Sequence, residues 1–246
     1  MFTPFVLSLV ATTLLLAGFI KGVIGGGLPT ISIGILGLVM PIPDAVALVV
    51  LPSLVTNIWQ ALGPQLWPLV KRLWPMLAGI CLGAFLGRDL MTGAYREWTE
   101  VGLGLAIILY SIVGLTKLHL HLDPKHEKWV APPVGIATGF IAAGTGVFVI
   151  PSGPYLQAIG LRKNDLVQSL GITYTISTVV LALVTARAGA LNLAVLWPSL
   201  LAVAAALIGM VIGQRFLDRL EEETFRRVFF IGLLLLGAHI VVRSLL

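Results

Sequence analysis

A single lysine and three consecutive glycines lie close together inside the first apolar region of the chain. Lys21 precedes Gly25-Gly26-Gly27 by four residues and is the only charged residue between Phe5 and Met40. An ammonium in an apolar environment costs at least about 2.5 kcal/mol, and glycine lets a ligand approach the backbone N–H groups closely. This combination predicts an anion site. Alternatively, Lys21 reaches an aqueous interface or pairs with a carboxylate elsewhere.

A second cluster, Ala142-Ala143-Gly144-Thr145-Gly146, interrupts another apolar region, which runs from Trp129 to Gly160. We expect helices to begin just after both clusters, near Leu28 and Val147. The positive N-terminal ends of these helices would then point at the interruptions. The second cluster contains no basic residue, so the two candidate anion sites differ in charge.

Two further apolar segments each concentrate polar side chains within about one helical turn. These are Ser53, Thr56 and Asn57 in one segment, and Thr173, Tyr174, Ser177 and Thr178 in the other. Spacings of three and four place most of them on one helix face. Such groups could donate hydrogen bonds to an oxyanion or hold helices together. The predicted substrate-binding residues are Lys21, Gly25, Gly26, Gly27, Ser53, Thr56, Asn57, Gly144, Thr145, Gly146, Tyr174, Ser177 and Thr178.

The composition requires a lipid environment for the elements that carry these residues. The 246-residue chain is 58% hydrophobic and only 11% charged, against roughly 25% charged residues in soluble domains. Its mean hydropathy is +1.01. Continuous apolar runs such as Val101 to Gly114 favour helices over the alternating pattern of a membrane β-barrel. We therefore predict an all-α, multi-pass membrane protein.

Six apolar stretches are of ordinary spanning length, whereas the two glycine-containing regions are broken. After each break only about 13 residues remain to Met40 or to Gly160, or about 20 Å of helix. This length favours a re-entrant hairpin over a crossing. The six predicted spans are Asp44–Leu62, Pro68–Gly87, Trp98–Thr116, Asp165–Arg187, Leu191–Gly213 and Phe225–Val242.

The chain reads as two copies of one unit. A shift of 121 positions aligns Gly18-Phe19-Ile20 with Gly139-Phe140-Ile141, and Asp44 with Asp165, without a gap. The predicted halves are residues 1–116 and 129–246, joined by a polar linker at residues 117–128. Each half contains a broken hairpin and three spans. The spacings Gly18-x-x-x-Gly22, Gly83-x-x-x-Gly87 and Gly209-x-x-x-Gly213 indicate close helix packing.

Three spans and a hairpin per half invert the second copy relative to the first. One side of the membrane then carries only Arg88, Arg96, Arg187 and Arg243, and the other side carries every remaining Lys and Arg except Lys21. This asymmetry obeys the positive-inside rule. Counting each broken region as one crossing instead gives a nearly even split. The sequence therefore predicts inverted repeats with both termini outside.

Other classes of function find little support in the sequence. The net charge of +5 comes from scattered Lys and Arg residues, which argues against nucleic-acid binding. Cys81 is the only cysteine, and His119 and His121 lie among lysines, so we predict no metal site. No nucleotide fingerprint, nucleophile elbow or HExxH motif occurs. We expect neither an enzyme nor a bound cofactor.

The stretch Gly18–Gly27 and its weaker echo at Gly135–Gly146 resemble the TauE/SafE sulfite exporter family, and the resemblance extends over the whole chain. It implies a prokaryotic inner-membrane protein that transports sulfite or organosulfonates. Two departures bear on substrate choice: Pro29 follows the first glycines closely, and Thr145, Val147 and Phe148 replace a denser glycine run.

The predicted function is secondary transport of a small anion by alternating access, with the two hairpin tips meeting near the membrane midplane. The expected partners are the anion and the lipid bilayer, with homo-oligomerisation left open. An anion channel is one alternative. A membrane scaffold or assembly factor without transport is the other, because the polar tips could serve packing alone.

Overall fold

The computed structural model describes residues 3–90, 96–116, 121–187, 189–191, 193–216 and 222–245. Within these ranges the chain is all-helical, as predicted. Residues 117–120 of the predicted linker lie outside the described residues, and its last five residues belong to a helix. The helices are α1 (Pro4–Ile24), α2 (Leu28–Leu36), α3 (Ile42–Ala61), α4 (Leu66–Leu86), α5 (Arg96–Leu115), α6 (Pro124–Thr145), α7 (Ser152–Ala158), α8 (Lys163–Arg187), α9 (Leu193–Phe216) and α10 (Glu222–Leu245).

Seven helices in the described ranges are long and apolar enough to cross a membrane. Six of them, α3, α4, α5, α8, α9 and α10, coincide with the predicted spans. The seventh is α1, which was assigned to a broken hairpin. Its break lies at the C-terminal end rather than in the middle, so 21 continuous residues precede it and extend about 31 Å.

The first break is a short turn built on glycine. Gly25 and Gly27 have φ values of +84° and +90°, a region that side chains with a Cβ rarely adopt. The helix α2 begins at Leu28, as predicted, with Pro29 in its first turn. Proline suits this position because the first N–H groups of a helix have no partner within it.

The second break differs from the prediction. Residues 142–145 continue α6, which ends at Gly146 with φ +75°, and α7 begins at Ser152 rather than near Val147. Alanine and threonine fit a helix, so only the final glycine ends it. The Thr145 hydroxyl donates to the Ile141 carbonyl at 2.8 Å and accepts from the Val147 N–H at 3.1 Å.

The helices α6 and α7 form a hairpin whose open end is closed by polar contacts. The Leu122 N–H donates to the Ala158 carbonyl at 2.9 Å, which joins the start of α6 to the end of α7. From α4, Arg72 donates to both carboxylate oxygens of Glu127 at 2.8 Å and to the Ile159 carbonyl at 3.0 Å. These contacts hold both arms of the hairpin against α4.

Glycines bring two pairs of helices into backbone contact. A Cβ at Gly18 or Gly22 would collide with the carbonyl oxygen of Ala206 or Met210, which places α1 directly on α9. In the same way, a Cβ at Gly83 would collide with a carbonyl of α6. This confirms the predicted packing role of the spaced glycines. The helices α3 and α8 pack together and are the most buried spans, while α5 packs with α10.

Replacing Gly18 by valine should destabilise the protein by at least about 2 kcal/mol, because the new side chain meets the backbone of α9 rather than a movable side chain. Thermal unfolding of the detergent-purified protein would measure the effect. Gly232→Ala is the matched control, since a Cβ at Gly232 has no atom within 4 Å. Equal stability of both variants would contradict the packing role.

Candidate anion-binding site

Lys21 occupies the last turn of α1 and is buried, with 3% of its surface exposed. Its ammonium donates to the Thr56 hydroxyl at 3.2 Å and to the side-chain carbonyl of Asn57. Both partners are neutral and lie on α3. Among the described residues, no carboxylate forms an ion pair with Lys21. The positive charge is therefore solvated by the protein but not balanced by it.

Asn57 connects this lysine to the second half of the chain. Its amide nitrogen donates to the Tyr174 carbonyl at 3.2 Å and to the Thr178 hydroxyl at 3.1 Å, both on α8. Because the nitrogen is held by α8, the amide oxygen must face Lys21. One side chain thus joins α1, α3 and α8 at the lysine.

Gln60, one turn further along α3, fixes the first glycine turn. Its amide nitrogen donates to the Gly25 carbonyl at 2.8 Å and to the Val167 carbonyl at 3.0 Å. The Gly25 carbonyl is thereby held by a donor instead of pointing toward the lysine. A carbonyl dipole aimed at the site would repel an anion.

A cavity of about 670 Å³ extends from Lys21 to the protein surface, a volume within the usual range for small-molecule sites. Lys163 and Arg226 also line it, and none of the described lining residues is acidic. The cavity therefore carries a positive potential. The residues that line it are Lys21, Gly22, Val23, Ile24, Gly25, Gln60, Gln157, Lys163, Leu166, Val167, Leu170, Met210, Gln214, Phe225 and Arg226.

Tyr174 lies between the two broken regions. A Cβ on Gly26 would approach the Tyr174 ring to 3.4 Å, and the Phe148 ring centroid is 5.1 Å from that of Tyr174. The first glycine turn and the segment after the second turn therefore both contact this ring.

The structure brings together only part of the predicted set. Lys21, Thr56, Asn57, Tyr174 and Thr178 form one connected group beside the first glycine turn, Gly25-Gly26-Gly27. Of the predicted residues, Lys21 and Gly25 line the cavity, whereas Thr56, Asn57, Tyr174 and Thr178 do not. Ser53 and Ser177 are buried nearby on α3 and α8 and do not line it either. The Ser177 hydroxyl donates to the Thr173 carbonyl at 3.0 Å, whereas the Ser53 hydroxyl has no protein partner.

The second glycine turn is not part of this cavity. Gly144 and Thr145 line a separate apolar cavity of about 340 Å³. A Cβ on Gly146 would collide with the side chains of Ile33 and Val46. The second tip packs against α2 and α3, and the meeting of both tips at one site stays a prediction.

Sequence reasoning missed five polar residues of the cavity: Gln60, Gln157, Lys163, Gln214 and Arg226. Gln60 could have been found, since it follows Thr56 and Asn57 on the same helix at spacings of four and three. The other four come from separate segments, and only the packing of α7, α8, α9 and α10 brings them to α1.

Comparison with known proteins gives one match. The family model described as "Sulfite exporter TauE/SafE" matches residues 10–240, which is nearly the whole chain. No curated protein and no solved structure matches the sequence.

Replacing Gln60 by leucine should loosen the first glycine turn, because the Gly25 and Val167 carbonyls lose a shared donor. We expect faster amide hydrogen exchange at residues 25–28, at least about tenfold for a hydrogen-bonded contact of this kind. Gln214→Leu is the control, since Gln214 lines the same cavity from α9. Unchanged exchange in the Gln60 variant would show that the turn holds its shape without this contact.

Proposed function

The chain belongs to the TauE/SafE sulfite exporter family, and we propose that it transports a small sulfur-containing oxyanion across the membrane by alternating access. Sulfite and organosulfonates are the proposed substrate class. Seven helices of spanning length and the family match support a multi-pass transporter rather than an enzyme. The proposed location is the inner membrane.

The observation that carries this proposal is the buried, unbalanced charge of Lys21 at a cavity with a basic lining. The ammonium has three N–H donors, and Thr56 and Asn57 accept two of them. An oxyanion in the cavity would accept the third and supply the missing negative charge. The glycine turn, held by Gln60, would offer backbone N–H groups on the same side.

We further propose two inverted repeats, residues 1–116 and 129–246, with residues 117–128 as the linker between them. Asn57 and Thr178 occupy equivalent positions under the shift of 121, and they hydrogen-bond to each other at 3.1 Å. Contact between equivalent residues is expected where a pseudo-two-fold axis passes. The pairings α1 with α9 and α4 with α6 also exchange under this symmetry, which supports a site near the midplane.

In this topology the cavity opens toward the cytoplasm, because Lys163 and Arg226 belong to the predicted inner set of basic residues. Toward the opposite side, cavities of about 340 and 420 Å³ lie beside Gly144 and Val195, but Lys21 lines neither of them, and the gap beside Glu100 and Arg243 is only about 10 Å³. The conformation would therefore be inward-facing. In the outward-facing conformation the two halves would exchange roles, and the anion would contact Gly144, Thr145 and Gly146.

Uptake of labelled sulfite, taurine, sulfoacetate and sulfate into proteoliposomes tests the proposed function, with empty liposomes as the control. We expect saturable uptake of at least one sulfur oxyanion. Ohmic single-channel currents would favour a channel instead. Flat uptake traces, together with co-purifying protein partners, would favour a scaffold.

Replacing Asn57 by aspartate should weaken anion binding at least about tenfold while the protein stays folded. The change is nearly isosteric, but it places a carboxylate beside Lys21 and so supplies the charge that the anion would otherwise supply. Binding would be measured by calorimetry with the substrate found in the uptake panel. Asn164→Asp, at an exposed position of α8, is the charge-matched control. Wild-type affinity in the Asn57 variant would contradict the role of Lys21.

A further inference from the structure

The surroundings of Lys21 indicate which ion crosses the membrane together with the anion. This inference rests on the proposed transport function. In the conformation described, Lys21 is buried and its partners Thr56 and Asn57 are neutral. A carrier with this charge and no anion must move an unbalanced ammonium through an apolar, occluded state. Isolated buried charges of this kind are among the least favourable groups in a membrane protein.

No neighbouring element within the described residues supplies a balancing negative charge. From α3 the lysine faces Thr56, Asn57 and Gln60, which are neutral. From α9 it faces Met210 and Gln214 across the cavity.

The titratable groups near the lysine are tyrosines and bases. Tyr174 of α8 and Tyr110 of α5 lie beside the glycine turn, at Gly26 and Gly27 respectively. Lys163 of α8 and Arg226 of α10 line the same cavity and add positive charge. Helix α2, which packs on α1, contains no titratable side chain between Leu28 and Leu36. As far as the described residues go, a ligand or the loss of the proton would remove the imbalance.

We propose that Lys21 is the coupling-ion site of the transporter and carries one proton together with each anion. The anion and the ammonium neutralise each other in the loaded, occluded state. After the anion leaves, the ammonium gives its proton to water in the cavity, and the empty carrier returns with a neutral amine. The only bond that forms and breaks is the N–H bond of Lys21, so one proton moves with each anion in the same direction.

This cycle distinguishes net transport from exchange. Net transport requires the empty carrier to reorient, which is favourable only when the amine is neutral. Anion-for-anion exchange requires only the loaded carrier to reorient, and its charge is balanced throughout. A permanent cation at position 21 should therefore slow net transport far more than it slows exchange.

The first test uses wild-type protein in proteoliposomes containing a pH-sensitive dye. Labelled methanesulfonate is a suitable probe because it carries a single negative charge and its sulfonate stays ionised near neutral pH, so any proton movement belongs to the protein. We expect about one proton to enter per sulfonate taken up, and an inward proton gradient should drive accumulation. Sulfonate uptake without proton movement would overturn the coupling but leave the transport function standing. Neither uptake nor exchange of any anion would overturn both.

The second test uses Lys21→Arg, since a guanidinium keeps its proton at all working pH values. We expect Lys21→Arg to lower net sulfonate uptake at least about tenfold more than it lowers exchange of internal for external sulfonate, because any effect on anion binding acts on both processes whereas the permanent charge hinders only the return of the empty carrier. Lys71→Arg, at an exposed position of α4 outside the cavity, is the matched control. Net uptake at the wild-type rate in the Lys21 variant would overturn the proposal. If that variant does not fold, the number of protons that enter with each sulfonate in the wild-type protein tests the proposal on its own.

Discussion

Lys21 is a buried ammonium with no balancing carboxylate among the described residues, and the rest of this site depends on that constraint. Lys21 is stabilised by a hydroxyl and an amide of α3, which solvate a cation but leave its charge in place. Replacing either with a carboxylate would create a stable ion pair and a poor anion site. The neutral surroundings are thus the property that keeps the lysine available to a ligand.

The close packing of α1 on α9 is what permits this arrangement. Glycine at positions 18 and 22 brings the two backbones into contact on both sides of Lys21, so the lysine is carried by a closely packed helix pair. The glycine turn that follows is held by Gln60, which donates to carbonyls of both α1 and α8. Rigid support of the ligand groups limits the entropy lost on binding. The transported anion would then move with whole helices rather than with mobile loops.

The sequence predicted the individual residues of the candidate site better than it predicted which of them contact one another in the structure. Lys21 and the polar face of α3 were found because burial cost and helical spacing are local properties. The contact of Asn57 with Tyr174 and Thr178 joins residues more than a hundred positions apart, and no local pattern encodes it. The predicted position of the second break was wrong for a related reason. Ala142 to Thr145 can be helical or broken, and only packing against α2 and α3 decides.

In the proposed pair of inverted repeats, Lys21 would lie near the pseudo-symmetry axis. Ala142 stands where the second half would carry the equivalent base, and it is buried with 2% exposure. A second ammonium there would repel the first across a short distance in a medium of low polarity. Lys21 hydrogen-bonds to Asn57, and Asn57 contacts Thr178, its equivalent in the proposed second repeat. One cation at this position is therefore close enough to the axis to serve both orientations of the carrier. A buried lysine in only one of the two halves is therefore compatible with a symmetric transport mechanism, because a residue on the axis can serve both halves.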